Sequence, residues 1–390
     1  MQRNVNSLSN WLKVSFFLAY FGSAAWQAYF YVFLDEIGLK GYQIGLISAV
    51  QQFNTIALLP IWGVLADRFG RKKMLVISLF SSAAMLLWFM ITGDFYYYMV
   101  LIILVTIFTN PIASLIDSVA LDFSELYPQY SYGNIRLWAS IGWATSSALL
   151  GRLLMHMSLD VIFPIASGAL FVNGILFLIF YKPLESTRNL QQLNLKSAGK
   201  VFAGNRFLLI FFILLFLYGT ASAPSFIMLN LYMKDIGGTS FQIGLAFALQ
   251  AMFELPFFFY GKRLIQIYGP RKLLTFSIGV AALKYFLYSQ LNDPVWVLIL
   301  TFTQGITFAV FIQALIAIVH NNVPPEWKAT AQSMIYVVFF GAGIGVSNLW
   351  VNFLRDFISM KEIMIWITLM VLLVLILFFL FFRYHKRKNS

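Results

Sequence analysis

Long apolar runs recur along the whole chain, separated by short polar loops. A membrane-spanning helix needs about 20 mostly apolar residues. The pattern predicts twelve spans, at 12–34, 43–66, 74–92, 96–121, 134–157, 161–181, 207–232, 241–260, 273–290, 294–319, 330–352 and 362–382. These runs are too long for barrel strands of about 10 residues. The predicted fold is all-α and polytopic, with twelve transmembrane helices in two six-helix bundles, residues 1–182 and 207–390. The stretch 183–206, PLESTRNLQQLNLKSAGKVFAGNR, is the one long polar connection and reads as a cytoplasmic linker.

The chain also repeats itself. IGLKGYQIGLISAVQQF at 37–53 matches IGGTSFQIGLAFALQAM at 236–252, an offset of 199 residues. The same offset places GRKKML (70–75) over GPRKLL (269–274) and Gly142 over Gly341. An offset shared by separate helices and loops predicts two parallel repeats, related by an axis along the membrane normal. Two such bundles enclose a cavity that rocking exposes to either side in turn. Small residues in WASIGWATSSALLG (138–151) and FFGAGIG (339–345) allow close backbone approach, as they do in membrane-helix packing generally.

Composition supports a membrane setting: 60% of residues are hydrophobic and 11% charged, against about 25% charged in soluble domains. The formal charge of +12 would suit nucleic acid, but the basic residues cluster in loops. Arg68, Arg71, Lys72 and Lys73 follow the second span; Lys262, Arg263, Arg271 and Lys272 follow the eighth; Arg383 to Lys388 carry most of the tail's charge. The positive-inside rule puts these loops and both termini in the cytoplasm. The expected partners are lipid, a small molecule and protons, with no nucleic acid, and the chain is expected to be a monomer. MQRNVNSLSNWLK is polar and lacks an early small-x-small cleavage site, so the first run reads as a span and not a cleaved signal. With no cysteine, neither a disulfide nor a thiolate metal site can form. His156, His320 and His385 show no metal-ligand spacing, and no phosphate loop is present. Neither enzyme activity nor a cofactor is expected.

PIWGVLADRFGRKK (60–73) carries Gly63, Asp67, Arg68, Gly70 and Arg71 in the pattern of the loop between the second and third helices of the major facilitator superfamily, which it resembles. The second-half counterpart, GKRLIQIYGPRKL (261–273), is degenerate: Gln266 aligns with Asp67 and Pro270 with Arg71. YGNIRLWASIGW (132–143) and VPPEWKATAQS (323–333) are similar to segments of the branch containing lactose permease, phenylpropionate permeases and nucleoside:proton symporters. The resemblance implies a secondary transporter of a bacterial inner membrane. Its expected activity is proton-coupled uptake symport of a small polar solute, such as a sugar or nucleoside, by alternating access. Proton-antiport efflux of a drug or metabolite, aromatic-acid uptake and a receptor without transport are the other readings. The five loop residues are expected to act as a conformational gate.

Four ionisable residues interrupt predicted spans: Asp117, Arg136, Glu254 and Lys284. Such charges face protein or water, as structural ion pairs or as functional groups. Asn110, Ser114 and Asp117 share a helical face, and Arg136 shares one with Ser140 and Trp143. Asp117 and Arg136 are close enough in sequence to pair, or Arg136 holds an anionic substrate. The resemblance adds that a carboxylate late in the fourth helix and an arginine early in the fifth bind substrate together. Asp122 is a weaker candidate nearer the loop. Glu254 lies two residues before Pro256, which frees a backbone carbonyl. A carboxyl group taken out of water holds its proton more readily, so Glu254 is a proton-coupling candidate, with Asp117 as second choice. Lys284 either partners Glu254 or snorkels outward. Tyr20, Gln27 and Asn54 complete the substrate candidates, though such groups equally suit interhelical hydrogen bonds. Gln304 and Gln313, nine residues apart, fall on opposite sides of the tenth helix unless that helix is broken.

Overall fold

The computed structural model describes residues 2–181, 205–222, 228–324 and 327–389, so all but the last two residues of the predicted linker lie outside the described residues. Every regular element among them is helical. In the first half these are α1 (Gln2–Gln27), α2 (Phe30–Glu36), α3 (Gly41–Phe69), α4 (Arg71–Leu86), α5 (Phe95–Leu126), α6 (Tyr132–Leu153) and α7 (Ile162–Phe180). In the second they are α8 (Arg206–Ser222), α9 (Leu229–Asp235), α10 (Ser240–Tyr268), α11 (Pro270–Gln290), α12 (Pro294–Leu300), α13 (Phe311–His320), α14 (Lys328–Ile335), α15 (Ile344–Arg355) and α16 (Met360–Asn389).

Eight helices among the described residues are long and apolar enough to cross a membrane. The described residues of the other four predicted spans are largely helical but fall short for visible reasons. The first is interrupted between α1 and α2. Helix α6 carries Arg136 and Arg152, and α11 carries Arg271, Lys272 and Lys284. Helix α8 is a 17-residue apolar helix.

The 199-residue offset recurs in the backbone. Among the described residues, four glycines have positive φ: Gly38 (88°), Gly70 (91°), Gly237 (83°) and Gly269 (80°). They form two pairs at that offset: Gly38 and Gly237 follow the ends of α2 and α9, and Gly70 and Gly269 cap the starts of α4 and α11, all where a side chain would be strained. The entry to α3 is closed by Gln43, which accepts from the Lys40 N–H at 2.9 Å, and the entry to α10 by Gln242, which accepts from Thr239 at 2.9 Å. Both are the reciprocal half of a capping box. Asp94 and Asp293, also at that offset, cap α5 and α12.

Helix α12 does not run straight into α13. A 3₁₀ turn at Thr301–Thr303 and a π-wound segment at Gly305–Val310 lie between them. A second π segment, Tyr336–Gly343, joins α14 to α15.

The chain divides into two compact units: Met1–Leu39 with Phe53–Arg188 and Thr239–Ala251, and Lys40–Gln52 with Asn189–Gly238 and Met252–Ser390. Each therefore includes the first turns of the other half's long proline-containing helix. In the first unit α6 packs on α1 through Gly142, where a Cβ would overlap the Phe17 backbone. The start of α10 packs on α6 through Gly244, where a Cβ would overlap the Ser147 carbonyl and the Tyr29 hydroxyl. That buried hydroxyl is shared between Ser147 O at 3.0 Å and Ser240 O at 3.1 Å. In the second unit Gly219 and Gly343 bring α8 against the second π segment. There Asp356 accepts from the N–H groups of Gly41 (2.6 Å) and Tyr42 (2.9 Å), a cap supplied from the other end of the chain.

Gly244→Ala should lower the thermal midpoint of the purified protein, because overpacking a rigid contact costs about 1–3 kcal/mol. Gly168→Ala is the control, since nothing lies within 4 Å of the added Cβ. It should be neutral or stabilising, as helical Gly→Ala generally is. Equal midpoints for the two variants would show that the α10–α6 seam yields.

Candidate functional site

Ser131 caps α6 by accepting from the Asn134 N–H at 3.2 Å. The helix thus begins at Tyr132, and Tyr132 and Arg136, four residues apart, share a face. That face meets Asp117 on α5. The Tyr132 hydroxyl donates to Asp117 Oδ1 at 3.0 Å, and Arg136 Nε lies 3.4 Å from the same oxygen. The Arg136 guanidinium stands over the Tyr20 ring of α1 at 4.5 Å, a cation–π arrangement. The Arg136 and Asp117 side chains stay 34% and 29% exposed.

The structure brings Asp117, Arg136 and Tyr20 together and adds Tyr132, which the sequence reading missed. Its signal was there, one helical turn before Arg136 in YGNIR. Asn110 and Asn54 are engaged in bonds between helices. Asn110 donates to Thr55 at 2.8 Å and Asn54 to Thr106 at 2.9 Å, which ties α3 to α5. Trp143 and Gln27 are half-buried, two turns beyond Arg136 on α6 and at the end of α1.

A second cluster lies in the other unit. Lys284 is 2% exposed, so it does not snorkel. Its ammonium donates to Gln304 Oε1 at 3.0 Å and lies 5.6 Å from the centre of the Tyr288 ring. Glu254 on α10 lies near enough to feel the charge of Lys284. Gln304, named from the sequence only for its helical spacing from Gln313, is the group that answers the ammonium.

The loop after α3 is a third feature. Gly70 makes the turn into α4, and Gly63 has open space around it. Asp67 is exposed, and the Arg68 guanidinium covers the Phe69 ring at 5.3 Å. Arg71 turns inward to an ion pair with Asp122 on α5 and also donates to the Ser118 carbonyl at 3.4 Å. Asp122 therefore belongs with the loop and not with Asp117.

Known proteins agree with the fold. The model of the MFS_1 like family matches residues 9–351. The maltose permease of Geobacillus stearothermophilus is 28% identical over 336 residues, 85% of this chain and 83% of the permease. A probable 3-phenylpropionic acid transporter of Escherichia coli (strain K12) is 21% identical over 358 residues, 90% of this chain and 92% of that protein. The crystal structure of the nucleoside transporter NupG superposes with a TM-score of 0.85 at 18% identity, covering 97% of this chain and 99% of that one.

Asp122→Ala strands the Arg71 guanidinium in a site where its side chain is 16% exposed. Breaking a buried pair from one side costs about 3–5 kcal/mol, so the thermal midpoint should fall clearly. Asp122→Ala combined with Arg71→Leu should recover part of the loss. If the double variant is no more stable than the single one, the pair is not what holds the loop to α5.

Proposed function

We propose that this chain, which belongs to the MFS_1 like family, takes up a neutral, hydroxylated solute such as a sugar or nucleoside together with protons. The observation that carries the substrate class is the shared oxygen of Asp117. An arginine left free would hold a carboxylate in bidentate fashion. Here Asp117 offsets the charge of Arg136, so an anionic solute gains less. A neutral solute finds donors on Arg136 and Tyr132, acceptors on Asp117 and an aromatic face on Tyr20. Uptake of an aromatic acid would need Arg136 released from Asp117.

Glu254 is the proposed proton carrier. A buried charge resists closure of protein around it, and a proton removes that charge. Coupling then arises if protonation and solute each stabilise the same closed states. Asp117 is the second carboxylate able to serve. Gly63, Asp67, Arg68, Gly70 and Arg71 form the proposed gate, with Arg71 anchored to Asp122 as its fixed end. The repeat supports twelve spans in two bundles, 1–182 and 207–390, and the basic loops support cytoplasmic termini in a bacterial inner membrane.

A thermal-stability screen of purified protein tests the substrate class, because binding to the folded state raises its midpoint. Maltose or uridine should stabilise the protein more than 3-phenylpropionate does. The reverse order would move the assignment to aromatic acids. Asp117→Asn and Arg136→Gln should weaken binding of the stabilising solute by about tenfold or more, the effect of losing about 1.4 kcal/mol. Glu254→Gln should retain binding and exchange but lose accumulation driven by an inward proton gradient. Asp67→Asn should slow transport with affinity nearly unchanged. If Glu254→Gln still accumulates solute uphill, the carrier lies elsewhere, with Asp117 next to be tested.

A further inference from the structure

The 199-residue offset carries the Arg71–Asp122 ion pair of the first half onto Pro270 and Asn321. Neither side chain is charged. The neighbouring cations persist, with Lys72 aligned to Arg271 and Lys73 to Lys272. Lys72 donates to the Leu178 carbonyl at 3.0 Å. Arg271 pairs with no carboxylate among the described residues.

The half-buried Arg271 guanidinium meets aromatic rings instead. It lies 5.6 Å from the centre of the Phe207 ring at the start of α8, and 5.6 Å from that of Phe382 near the end of α16. Phe381 ties the same two helices together, its ring 5.0 Å from that of Phe207. Three helix ends are thus packed around one arginine. Ring faces attract the cation but offer its five N–H donors no oxygen.

Each residue of this contact has an exposed basic neighbour in sequence: Arg206 before Phe207, Lys272 after Arg271, and Arg383 after Phe382. Residues 205–212, 260–275 and 378–390 contain no aspartate or glutamate. Each exposed cation also stands over an exposed apolar residue. Leu209 lies three residues from Arg206, Phe276 four from Lys272 and Phe379 four from Arg383. Such spacings share a helix face. Positive charge above apolar surface is therefore repeated on all three helices.

We propose that the ends of α8, α11 and α16 bind an anionic phospholipid, with Arg271 taking the headgroup phosphate and the exposed apolar residues meeting the acyl chains. A guanidinium can hold two phosphate oxygens at once. Basic pockets between helices on the cytoplasmic side take such headgroups, and the positive-inside rule puts this end there. Free phosphate would use the cations but not the apolar residues below them. A zwitterionic headgroup would bring its own ammonium among them. The proposal needs the chain to span a membrane, but neither the solute nor the proton-carrier assignment.

Thermal midpoints of the detergent-purified full chain test it, because a ligand of the folded state raises the midpoint. Dioleoylphosphatidylglycerol, dioleoylphosphatidylcholine and inorganic phosphate are titrated in turn, each shift being taken from the same variant without additive. Phosphatidylglycerol should raise the midpoint well above the other two. Arg271→Gln should raise its half-saturating concentration by about tenfold, the scale of one lost charge-assisted contact. Phe382→Leu keeps every charge and should weaken binding several-fold. Arg263→Gln removes an equal charge from an exposed site on α10 and should leave binding nearly unchanged. If Arg271→Gln cannot be purified, Arg271→Lys decides in its place; it keeps the charge but not the planar fork and should also weaken binding. Equal losses in Arg271→Gln and Arg263→Gln would reveal diffuse attraction to a positive surface and overturn the proposal. Equal shifts from the two lipids would overturn it too. So would a shift from inorganic phosphate that matches phosphatidylglycerol, which would make this a site for free anions.

Discussion

A charge buried in an apolar helix must be answered by a partner, because removing an ion from water costs several kcal/mol even after relaxation. Lys284 states the constraint most sharply. Its ammonium is almost fully enclosed, and the group that answers it is a neutral amide, Gln304. A neutral acceptor satisfies the ammonium without cancelling its charge. Glu254 thus lies near a positive charge it does not have to share with another carboxylate. The first half answers its charges differently. Arg136 is met by Asp117, with Tyr132 bonded to the same oxygen and Tyr20 beneath. One cluster cancels charge at a partly exposed surface. The other encloses an ammonium beside a neutral amide.

Both arrangements depend on close helix contact, and glycine supplies it. Gly142, Gly244, Gly219 with Gly343, and Gly305 each stand where a Cβ would meet backbone or a fixed ring. The packed surfaces are therefore backbone against backbone, which leaves few side-chain rotamers to adjust. Such surfaces are either in contact or apart, and elements with two discrete arrangements are what coupling requires.

Much of this was legible in the sequence because it rests on rare residues or on repetition. Asp117, Arg136, Glu254 and Lys284 stood out as single charges in apolar runs. The 199-residue offset foretold the paired turns at Gly38 and Gly237 and at Gly70 and Gly269. What stayed hidden has particular causes. Tyr132 is one of 19 tyrosines and carries no charge to mark it. The break between α1 and α2 falls at Ala28 and Tyr29, with neither proline nor glycine at the break. Asp122 looked like a spare carboxylate because its pairing with Arg71 depends on how α4 and α5 pack. The cap from Asp356 to Gly41 joins residues 315 apart, beyond any local pattern.

Solute-driven proton movement tests the central claim most directly. Proteoliposomes loaded with a pH-sensitive dye, at equal pH inside and out, receive the stabilising solute on the outside. The account predicts that the lumen acidifies as solute enters, and that the signal disappears in Glu254→Gln vesicles that still exchange solute. Alkalinisation of the lumen, or solute entry with no change in pH, would contradict it.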